Sequence, residues 1–318
     1  MKAIVQEKYG SPDILRVSDV DRPVFDDDTV LVRVRAASVN ALDWRRVRGK
    51  PAVIRFDEGL RRPKRPVLGV DTAGVVEEVG KNVTHLRSGD EVFGIGQGAF
   101  AEYTVGKTFA PKPAKLSFEQ AAALPIAGST ALQTVRDKGE IVEGQKVLVN
   151  GAGGGVGTLV VQIAKAFGAS VSATTTTEKL ELVRSIGADY VLDHTQEDFT
   201  KIGERYDVIV EVGGKLTMPG CRPALTPDGK LVYVGAGSGP GGPIGRFITA
   251  SFRARMLRQP VVVFVSWDST DDLLTLKGLI EAGKVTPVID RTYPLSESAD
   301  AIRHLELGRA RGKVVITV

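Results

Sequence analysis

Hydrophobic and polar positions in the first hundred residues follow a strand-like pattern. The segments KAIVQE at the start and VLVRVRAASV at 30–39 are rich in β-branched residues, and similar short segments follow at 67–80, 89–95 and 99–105. Such runs, when turn residues separate them, predict strands. We therefore expect a compact, turn-rich β domain, with one short helical turn at 38–49 that leads into a basic, proline-bounded loop as far as Pro66.

From about residue 118 the pattern becomes helical, and helix-like runs then alternate with strand-like runs as far as residue 235. The strand-like runs are KVLVN, SVSATT, YVLD, YDVIVEV and KLVYVG. Alternation of strands and helices predicts a parallel sheet with right-handed crossovers. The sequence thus predicts an α/β protein with a second, doubly wound domain.

The last eighty residues contain a glycine-rich loop at 235–245, an amphipathic stretch at 247–260 and an apolar strand at 261–267. A helix and then a strand, helix and strand follow. This terminal unit is too small to bury its own faces, so we expect it to rejoin the first domain. The predicted domains are therefore 1–120 together with 287–318, and 121–286 between them.

Composition narrows the class of protein. Of 318 residues, 42% are hydrophobic and 25% charged, which is typical of a globular chain. Cys221 is the single cysteine, which excludes an internal disulfide and any multi-cysteine metal site and suits a reducing compartment. No signal-peptide pattern and no membrane-length apolar run occurs, so we expect a cytoplasmic protein with no membrane partner.

The net charge of +4 is modest, and basic residues cluster only in RRPKR at 61–65. This cluster is either a solvated loop or a nucleic-acid contact. No aromatic platform or recognised binding motif accompanies it, which favours the loop. We therefore expect no nucleic-acid partner.

The run NGAGGGVG at 150–157 carries the clearest chemical signal. It follows the strand KVLVN and opens a helix, with Ala152, Gly154 and Gly157 at the three positions of a dinucleotide-binding turn. Small residues there permit a tight turn, a close approach of pyrophosphate to the backbone and close packing of helix on strand. The alternative is a purely structural turn, but the position between strand and helix favours a nucleotide site.

The residue at the end of the second strand of such a domain selects the cofactor. An acid about 20 residues after the glycines binds the ribose hydroxyls of NAD, but here Thr174 occupies that position, within TTTTEKL. The hydroxyls of residues 174–177 and the Lys179 ammonium instead offer donors to a 2′-phosphate, which predicts NADPH. The alternative is a threonine-rich strand end beside a surface lysine.

Taken together, these motifs resemble the medium-chain dehydrogenases/reductases, and within them the zinc-free NADPH:quinone oxidoreductase, or zeta-crystallin-like, branch. The resemblance runs along the whole chain through KAIVQEKYGSPDIL, SVNALDWRRVRG, VLGVDTAGVVEEVG, GDEVFG, FAEY, LPIAGSTALQTV, the glycine turn, GADYVLDH and RGKVVITV. It implies a GroES-like β-rich catalytic domain plus a Rossmann domain. It also implies a homodimer, with the apolar strand VVVFV as the contact.

The resemblance further implies positions for the cofactor contacts. Asn40 and Thr130 are expected beside the nicotinamide, and the ribose phosphate contacts are expected at Thr174, Thr175 and Lys179. The pyrophosphate contacts and further cofactor contacts are expected at Gly153, Gly154, Gly155, Val156, Gly235 and Lys313. Relatives often carry tyrosine where this chain has His194, whose imidazole either donates to a phosphate or belongs to a loop.

Zinc-dependent relatives use cysteine and histidine ligands that this chain does not supply. Its three histidines, His85, His194 and His304, are far apart in sequence, so we expect no metal. Without a Lewis acid, formation of an alkoxide from a simple alcohol is difficult. A quinone or an α,β-unsaturated carbonyl is an easier hydride acceptor, because it spreads the added charge onto an oxygen that hydrogen bonds can stabilise.

Two residues are candidates for a catalytic role. Asn40 would hold the nicotinamide or the substrate oxygen. Asp43 would orient a basic neighbour, Arg45 or Lys50, or it is simply a helix-start residue. The alternative functions are an NADPH-binding protein with a regulatory or structural role, because fold does not establish chemistry, and an enoyl-thioester reductase.

Overall fold

The computed structural model describes residues 1–212, 216–235 and 259–318. The chain forms two compact units. The first comprises Met1–Ile126, Asp268–Glu281 and Pro287–Val318, and the second comprises Ala127–Trp267 and Ala282–Thr286. The predicted boundaries differ from this division mainly in the segment 268–281, which packs with the first unit rather than with the second.

The described residues form fourteen strands. They are β1 (Lys2–Val5), β2 (Arg16–Asp19), β3 (Val30–Val39), β4 (Asp71–Val79), β5 (Glu91–Gln97), β6 (Tyr103–Pro111), β7 (Lys146–Asn150), β8 (Ser170–Thr175), β9 (Tyr190–Asp193), β10 (Tyr206–Glu211), β11 (Leu225–Val234), β12 (Val261–Phe264), β13 (Ile289–Pro294) and β14 (Lys313–Thr317).

The same residues form nine α-helices. They are α1 (Ala41–Arg48), α2 (Ile54–Glu58), α3 (Phe118–Ala122), α4 (Pro125–Gln133), α5 (Gly155–Ala166), α6 (Leu180–Ser185), α7 (Met218–Cys221), α8 (Thr270–Glu281) and α9 (Ser298–Glu306). A π-helical turn at Thr134–Lys138 extends α4.

The first unit is built on one sheet of order β13-β14-β3-β4-β5-β6, in which β6 also pairs with β3. The strands β3 to β6 thereby form a closed ring of pairings. Strand β3 is buried along almost its whole length because it has partners on both sides, and only Arg33 and Arg35 are exposed. Strand β14 runs antiparallel to β3 with Val314 opposite Val39, so the C-terminal strand is part of the sheet of the first unit.

The second unit is a six-stranded sheet of order β12-β11-β10-β7-β8-β9 in which every pairing is parallel. The predicted Rossmann-type fold is therefore confirmed. The strand order reverses direction between β7 and β10, which lie side by side in the middle of the sheet. In sheets of this kind, ligands bind outside the carboxyl ends of the strands at that switch point.

Two short elements were not predicted from the sequence pattern. Strand β2 and helix α2 are four and five residues long and mainly polar, so neither shows a clear apolar period. The predicted glycine-rich loop and amphipathic stretch lie outside the described residues apart from Gly235, Gln259 and Pro260. Among the described helices, none combines the length and apolar character that a membrane crossing requires.

Candidate active site

The glycine turn joins β7 to α5 at the switch point of the parallel sheet. Gly151 adopts a left-handed backbone with φ of +86°, and Gly154 is the N-terminal cap of the 12-residue helix α5. A Cβ atom on Gly157 would lie 2.2 Å from the Gly151 carbonyl oxygen, so only glycine allows the helix to approach the turn. The N–H groups of the first helical turn have no intrahelical acceptor and favour an anion.

The turn brings three predicted cofactor residues together. A Cβ atom on Gly153 would lie 2.6 Å from Lys179 Cδ and 2.7 Å from Thr175 Oγ1, so both side chains pack directly over this glycine. Among the described residues, a Cβ atom on Gly154 would, in contrast, meet only the Gly151 carbonyl oxygen, at 3.7 Å. Space is therefore open above Gly154, at the positive end of the helix dipole.

Hydrogen bonds fix the carboxyl ends of the three central strands. Thr174 donates its hydroxyl proton to Asn150 Oδ1, and Asn150 Nδ2 donates to Glu211 Oε2 over 2.9 Å. The Thr174 carbonyl accepts the backbone N–H of Ala152 at 3.1 Å, which ties β8 to the glycine turn. Because a hydroxyl has one proton, Thr174 acts here as a structural donor and would have to break this bond to donate to a phosphate.

The threonine run continues toward an acidic neighbour. Thr177 donates its hydroxyl to Asp193 Oδ2, and Thr195 binds the other oxygen through its backbone N–H at 2.9 Å. The hydrogen bond from Thr177 is the main reason why the pKa of Asp193 lies below its usual value. His194 is exposed, and its backbone N–H donates to the Thr175 carbonyl at 3.0 Å. Thr175 is thus held between the glycine turn and His194.

Two further predicted contacts lie in this unit. The Thr130 hydroxyl, on α4, donates to Ser266 Oγ at 2.8 Å, and Thr130 is buried. Gly235 follows β11 with φ of +73°, and its N–H donates to the Phe264 carbonyl at 3.1 Å. No protein atom lies within 4 Å of the place where its Cβ would be, among the described residues.

The first unit contains a buried polar cluster centred on Asp71, the first residue of β4. Its Oδ2 atom accepts hydrogen bonds from Ser38 Oγ at 2.6 Å, Asn40 Nδ2 at 2.9 Å and Lys313 Nζ at 3.0 Å. Its Oδ1 atom accepts the Ile126 backbone N–H at 2.9 Å. Burial of a charged pair requires such complete hydrogen bonding.

This cluster fixes the orientation of the Asn40 amide. Lys313 Nζ donates to Asn40 Oδ1 at 2.8 Å, while Asp71 accepts one hydrogen from Asn40 Nδ2. An amide flip would place two donors against each other, since an ammonium cannot accept. One N–H of Asn40 Nδ2 has no acceptor among the described residues, and the side chain can offer it to a ligand.

Asp43 supports the same residue from the other side. Its Oδ2 atom accepts the Asn40 backbone N–H at 2.7 Å, at the start of α1. The helix-start role considered for Asp43 is therefore observed, and its catalytic role stays a prediction. Burial raises the pKa of Asp43 to about 6, with Asp71 adding to the rise, while the Asn40 N–H, Arg46 and Lys313 oppose it.

Other sequence candidates have structural neighbours of their own. Arg45 is half-buried and stacks on the Trp44 ring, with its guanidinium carbon 5.1 Å from the ring centre. Tyr103, in the motif FAEY, is covered by the Arg22 guanidinium, whose carbon lies 3.9 Å from the ring centre. His304 Nε2 lies 2.5 Å from Asp290 Oδ2 on the tail.

Sequence reasoning missed Asp71, Asn150 and Glu211. Asp71 stands in VLGVDTAG, where a lone acid among apolar residues was the available signal. Asn150 and Glu211 end the neighbouring strands β7 and β10, so a polar residue at each strand end was the signal for this pair.

Family models cover most of the chain. Residues 26–113 match the model described as "Alcohol dehydrogenase GroES-like domain", and residues 186–316 match "Zinc-binding dehydrogenase". Over 99% of this chain and 79% of the relative, the sequence is 39% identical to the tomato (Solanum lycopersicum) 2-methylene-furan-3-one reductase. The chain belongs to the medium-chain dehydrogenase/reductase superfamily.

Further comparisons agree with this membership. The Arabidopsis thaliana chloroplastic NADPH-dependent alkenal/one oxidoreductase is also 39% identical, over 99% of this chain and 79% of that one. The quinone oxidoreductase structure from Coxiella burnetii superimposes with a TM-score of 0.88 at 31% identity, covering 100% of this chain and 99% of that one. The fold of this medium-chain dehydrogenase/reductase is thus that of its solved relatives.

One family description mentions zinc. In the parts of this medium-chain dehydrogenase/reductase that the structure describes, no group of three or more His, Cys, Asp or Glu side chains is arranged to hold a metal ion. The Asn40 side chain hydrogen-bonds Asp71 and Lys313, and Ser38 donates to the same Asp71 oxygen.

Proposed function

We propose that the protein is a zinc-independent oxidoreductase that transfers a hydride from NADPH to a quinone or an α,β-unsaturated carbonyl compound. The observation that carries the proposal is the packing of Lys179 and Thr175 over Gly153 in the glycine turn. A lysine at that place, with no acid at the end of β8, suits a dinucleotide that bears an additional phosphate.

The fit of NADPH rests on the residues of the second unit. Gly153, Gly154, Gly155 and Val156 provide the backbone of the turn and the first N–H groups of α5, which would hold the pyrophosphate. Lys179 and Thr175, with His194 at the edge, would contact the 2′-phosphate. Gly235 and Thr130 complete the proposed contacts, and a Cβ-free surface at Gly154 and Gly235 supports a close approach of the cofactor.

NADPH, when bound, supplies the hydride. The contribution of the protein is geometry and hydrogen bonding, and Asn40 is the residue proposed for it. Lys313 and Asp71 hold its amide in one orientation, and Asp43 fixes its backbone. The remaining Asn40 N–H would donate to the nicotinamide amide or to the acceptor carbonyl oxygen, where negative charge develops.

Preorganised donors of this kind act best when nothing has to move during the reaction. The buried cluster meets that condition because Asp71 accepts four hydrogen bonds and Lys313 Nζ donates three, to Val39, Asn40 and Asp71. Asp43 and Lys313 are therefore proposed as positioning residues for Asn40. The acceptor class follows the enone and quinone reductases to which the chain is similar.

A homodimer is part of the proposal. Strand β12 is an edge strand of the parallel sheet as far as the described residues go, and Val265 and Trp267 beside it are 68% and 45% exposed. An apolar edge of this kind favours pairing with a second chain. A cytoplasmic location is also proposed, on the ground of the single cysteine.

The cofactor proposal is tested with Lys179→Met. We expect the Kd for NADPH to rise at least tenfold while the Kd for NADH changes little, because only NADPH carries the phosphate that the ammonium binds. Fluorescence titration of the nicotinamide measures both constants. Lys146→Met is the matched control, since Lys146 begins β7 and pairs with Glu204 at the opposite end of the strand. Equal losses for NADPH and NADH would contradict the proposal.

A further inference from the structure

The first unit contains a cavity of about 280 Å³ that the proposed mechanism does not use. Its wall is mainly apolar, formed by the loop Pro63–Val70 with Tyr9 and Gln97. This volume is near the lower end of the roughly 300–1,000 Å³ found for small-molecule sites. The cavity is therefore of a size for one compact organic molecule.

The cavity carries an excess of positive charge. Arg46, Lys64 and Arg65 line it together with one acid, Glu58. Lys64 and Arg65 are exposed, so they stand at the rim, and Arg65 reaches Asp57 only at 3.8 Å. The basic run at 61–65, which the sequence pattern assigns to a solvated loop, thus contributes three of its residues, Pro63, Lys64 and Arg65, to the lining of a cavity.

Arg46 is the buried cation of the group. Its Nε atom lies 2.7 Å from Glu58 Oε1, and the two side chains are only 17% and 6% exposed. The buried Nε atom nevertheless makes no aligned hydrogen bond in the described structure. No hydrogen bond joins the terminal nitrogens of Arg46 to another described side chain either, so this guanidinium has unused donors beside the cavity.

The lining of the cavity is linked along the chain to the residues that hold Asn40. Val70 on its wall is followed directly by Asp71, which holds the Asn40 amide, and the Val70 carbonyl accepts the Gly96 N–H at 2.9 Å. Arg46 lies one helical turn after Asp43 on α1 and opposes the rise in the pKa of that residue. A molecule in the cavity would thus contact two residues, Val70 and Arg46, that neighbour Asp71 and Asp43 along the chain.

We propose that this cavity binds the body of the acceptor, and that the favoured acceptor is a compact enone or quinone that carries a carboxylate. The apolar wall takes the carbon skeleton, and Lys64, Arg65 and the terminal nitrogens of Arg46 take the carboxylate. This inference rests on the proposed function, because it names the acceptor class for the same hydride transfer.

The test compares two acceptors of one skeleton, a short-chain enone with a terminal carboxylate and its methyl ester. NADPH oxidation by the full-length protein gives kcat/KM for each. We expect the wild type to favour the carboxylate by about tenfold, and Lys64→Gln/Arg65→Gln to reduce that ratio about fivefold, as two partly solvated ion pairs are lost. The wild-type ratio should also fall as ionic strength rises.

The matched control is Arg61→Gln/Arg62→Gln, which removes the same charge from the same run at two exposed residues that do not line the cavity. It should retain the wild-type ratio. A wild-type ratio near one, or an equal decrease in the control, would overturn the inference, the latter because it would indicate long-range attraction rather than a site.

Turnover of the methyl ester reports on the proposed function by itself. If neither acceptor oxidises NADPH, that function fails, and calorimetry with the saturated carboxylate decides the cavity separately. Weaker binding to Lys64→Gln/Arg65→Gln than to Arg61→Gln/Arg62→Gln supports the site. Equal binding to the two variants rejects it.

Discussion

At the scale of single residues, the proposed hydride transfer depends on how Asn40 is held. Its side chain is fixed by Lys313 and Asp71 and its backbone by Asp43, and all three supports are buried. A buried charge without a partner is costly, whereas a charge with full hydrogen bonding is tolerated. The cluster therefore behaves as one unit, in which a change at any member alters the orientation of the Asn40 amide.

Asp43 gives this cluster a pH dependence. Because its pKa is raised to about 6 in the folded protein, the folded state holds a proton that the unfolded state has lost, and stability falls as pH rises from about 4 to 6. Asp43→Asn has no carboxyl to titrate, so its stability should not fall in this way. We expect the difference in free energy of unfolding between Asp43→Asn and the wild type to grow by on the order of 2–3 kcal/mol from pH 4 to pH 6, measured by urea denaturation.

Asp19→Asn is the control for this measurement, because Asp19 is an exposed carboxylate of the same unit. Its curve should run parallel to that of the wild type. Parallel curves for Asp43→Asn as well would show that the Asp43 carboxyl is not held protonated by burial.

Residue-level features were only partly predictable from the sequence. Asn40 and Lys313 were named through a family resemblance, but the residue that joins them, Asp71, lies 242 positions from Lys313. Hydrogen bonds over such separations follow from the pairing of β14 with β3 and leave no periodic signal. Thr174 shows the same limit, since its donation to Asn150 depends on the register of β7 and β8.

At the scale of elements, the junction of β7 and α5 is the central feature. The sequence predicts it well because the glycines sit between a β-branched strand and an amphipathic helix, where each has a definite steric task. Short polar elements such as β2 and α2 were not predictable, because they lack an apolar period and owe their conformation to neighbours in space.

The glycines of this junction differ in whether the folded protein tolerates a Cβ atom at their position. Gly154→Ala should leave the free energy of unfolding nearly unchanged, since its backbone angles of −98° and 174° suit alanine and its Cβ would meet no close protein atom. The Kd for NADPH should rise at least tenfold, because the methyl group occupies the space above the first turn of α5. Fluorescence titration and urea denaturation measure the two effects.

Gly278→Ala, on α8, is the matched substitution, because in the part of the chain that the structure describes no atom outside its own helical turns lies within 4 Å of its Cβ position. It should stabilise the protein by up to about 1 kcal/mol through helix propensity and leave NADPH binding alone. Wild-type affinity in Gly154→Ala would place the cofactor phosphates elsewhere.

At the scale of the whole molecule, both architectures followed from the sequence pattern. Alternation of strands and helices predicted the parallel sheet, and the isolated terminal strands predicted the return of the tail. Strand β12, at the edge of the described parallel sheet, further predicts that two chains form a homodimer. Light scattering after size exclusion should give about twice the 33.9 kDa chain mass, and Val265→Lys should shift it toward one chain by charging the edge.

Val142→Lys controls for surface charge in the same unit, since Val142 is 58% exposed and lies outside β12. It should remain dimeric. A wild-type protein that elutes as a single chain at all concentrations would refute the dimer.

The central claim is hydride transfer from NADPH to an electron-poor acceptor without a metal ion. Its most direct test is turnover of a simple enone with NADPH deuterated at C4, after dialysis of the protein against a chelator, with NMR analysis of the product. We expect NADPH oxidation to persist after dialysis and deuterium to appear at the β-carbon of the saturated ketone. Binding of NADPH without turnover on any enone or quinone, or activity that returns only when zinc is added, would contradict the account.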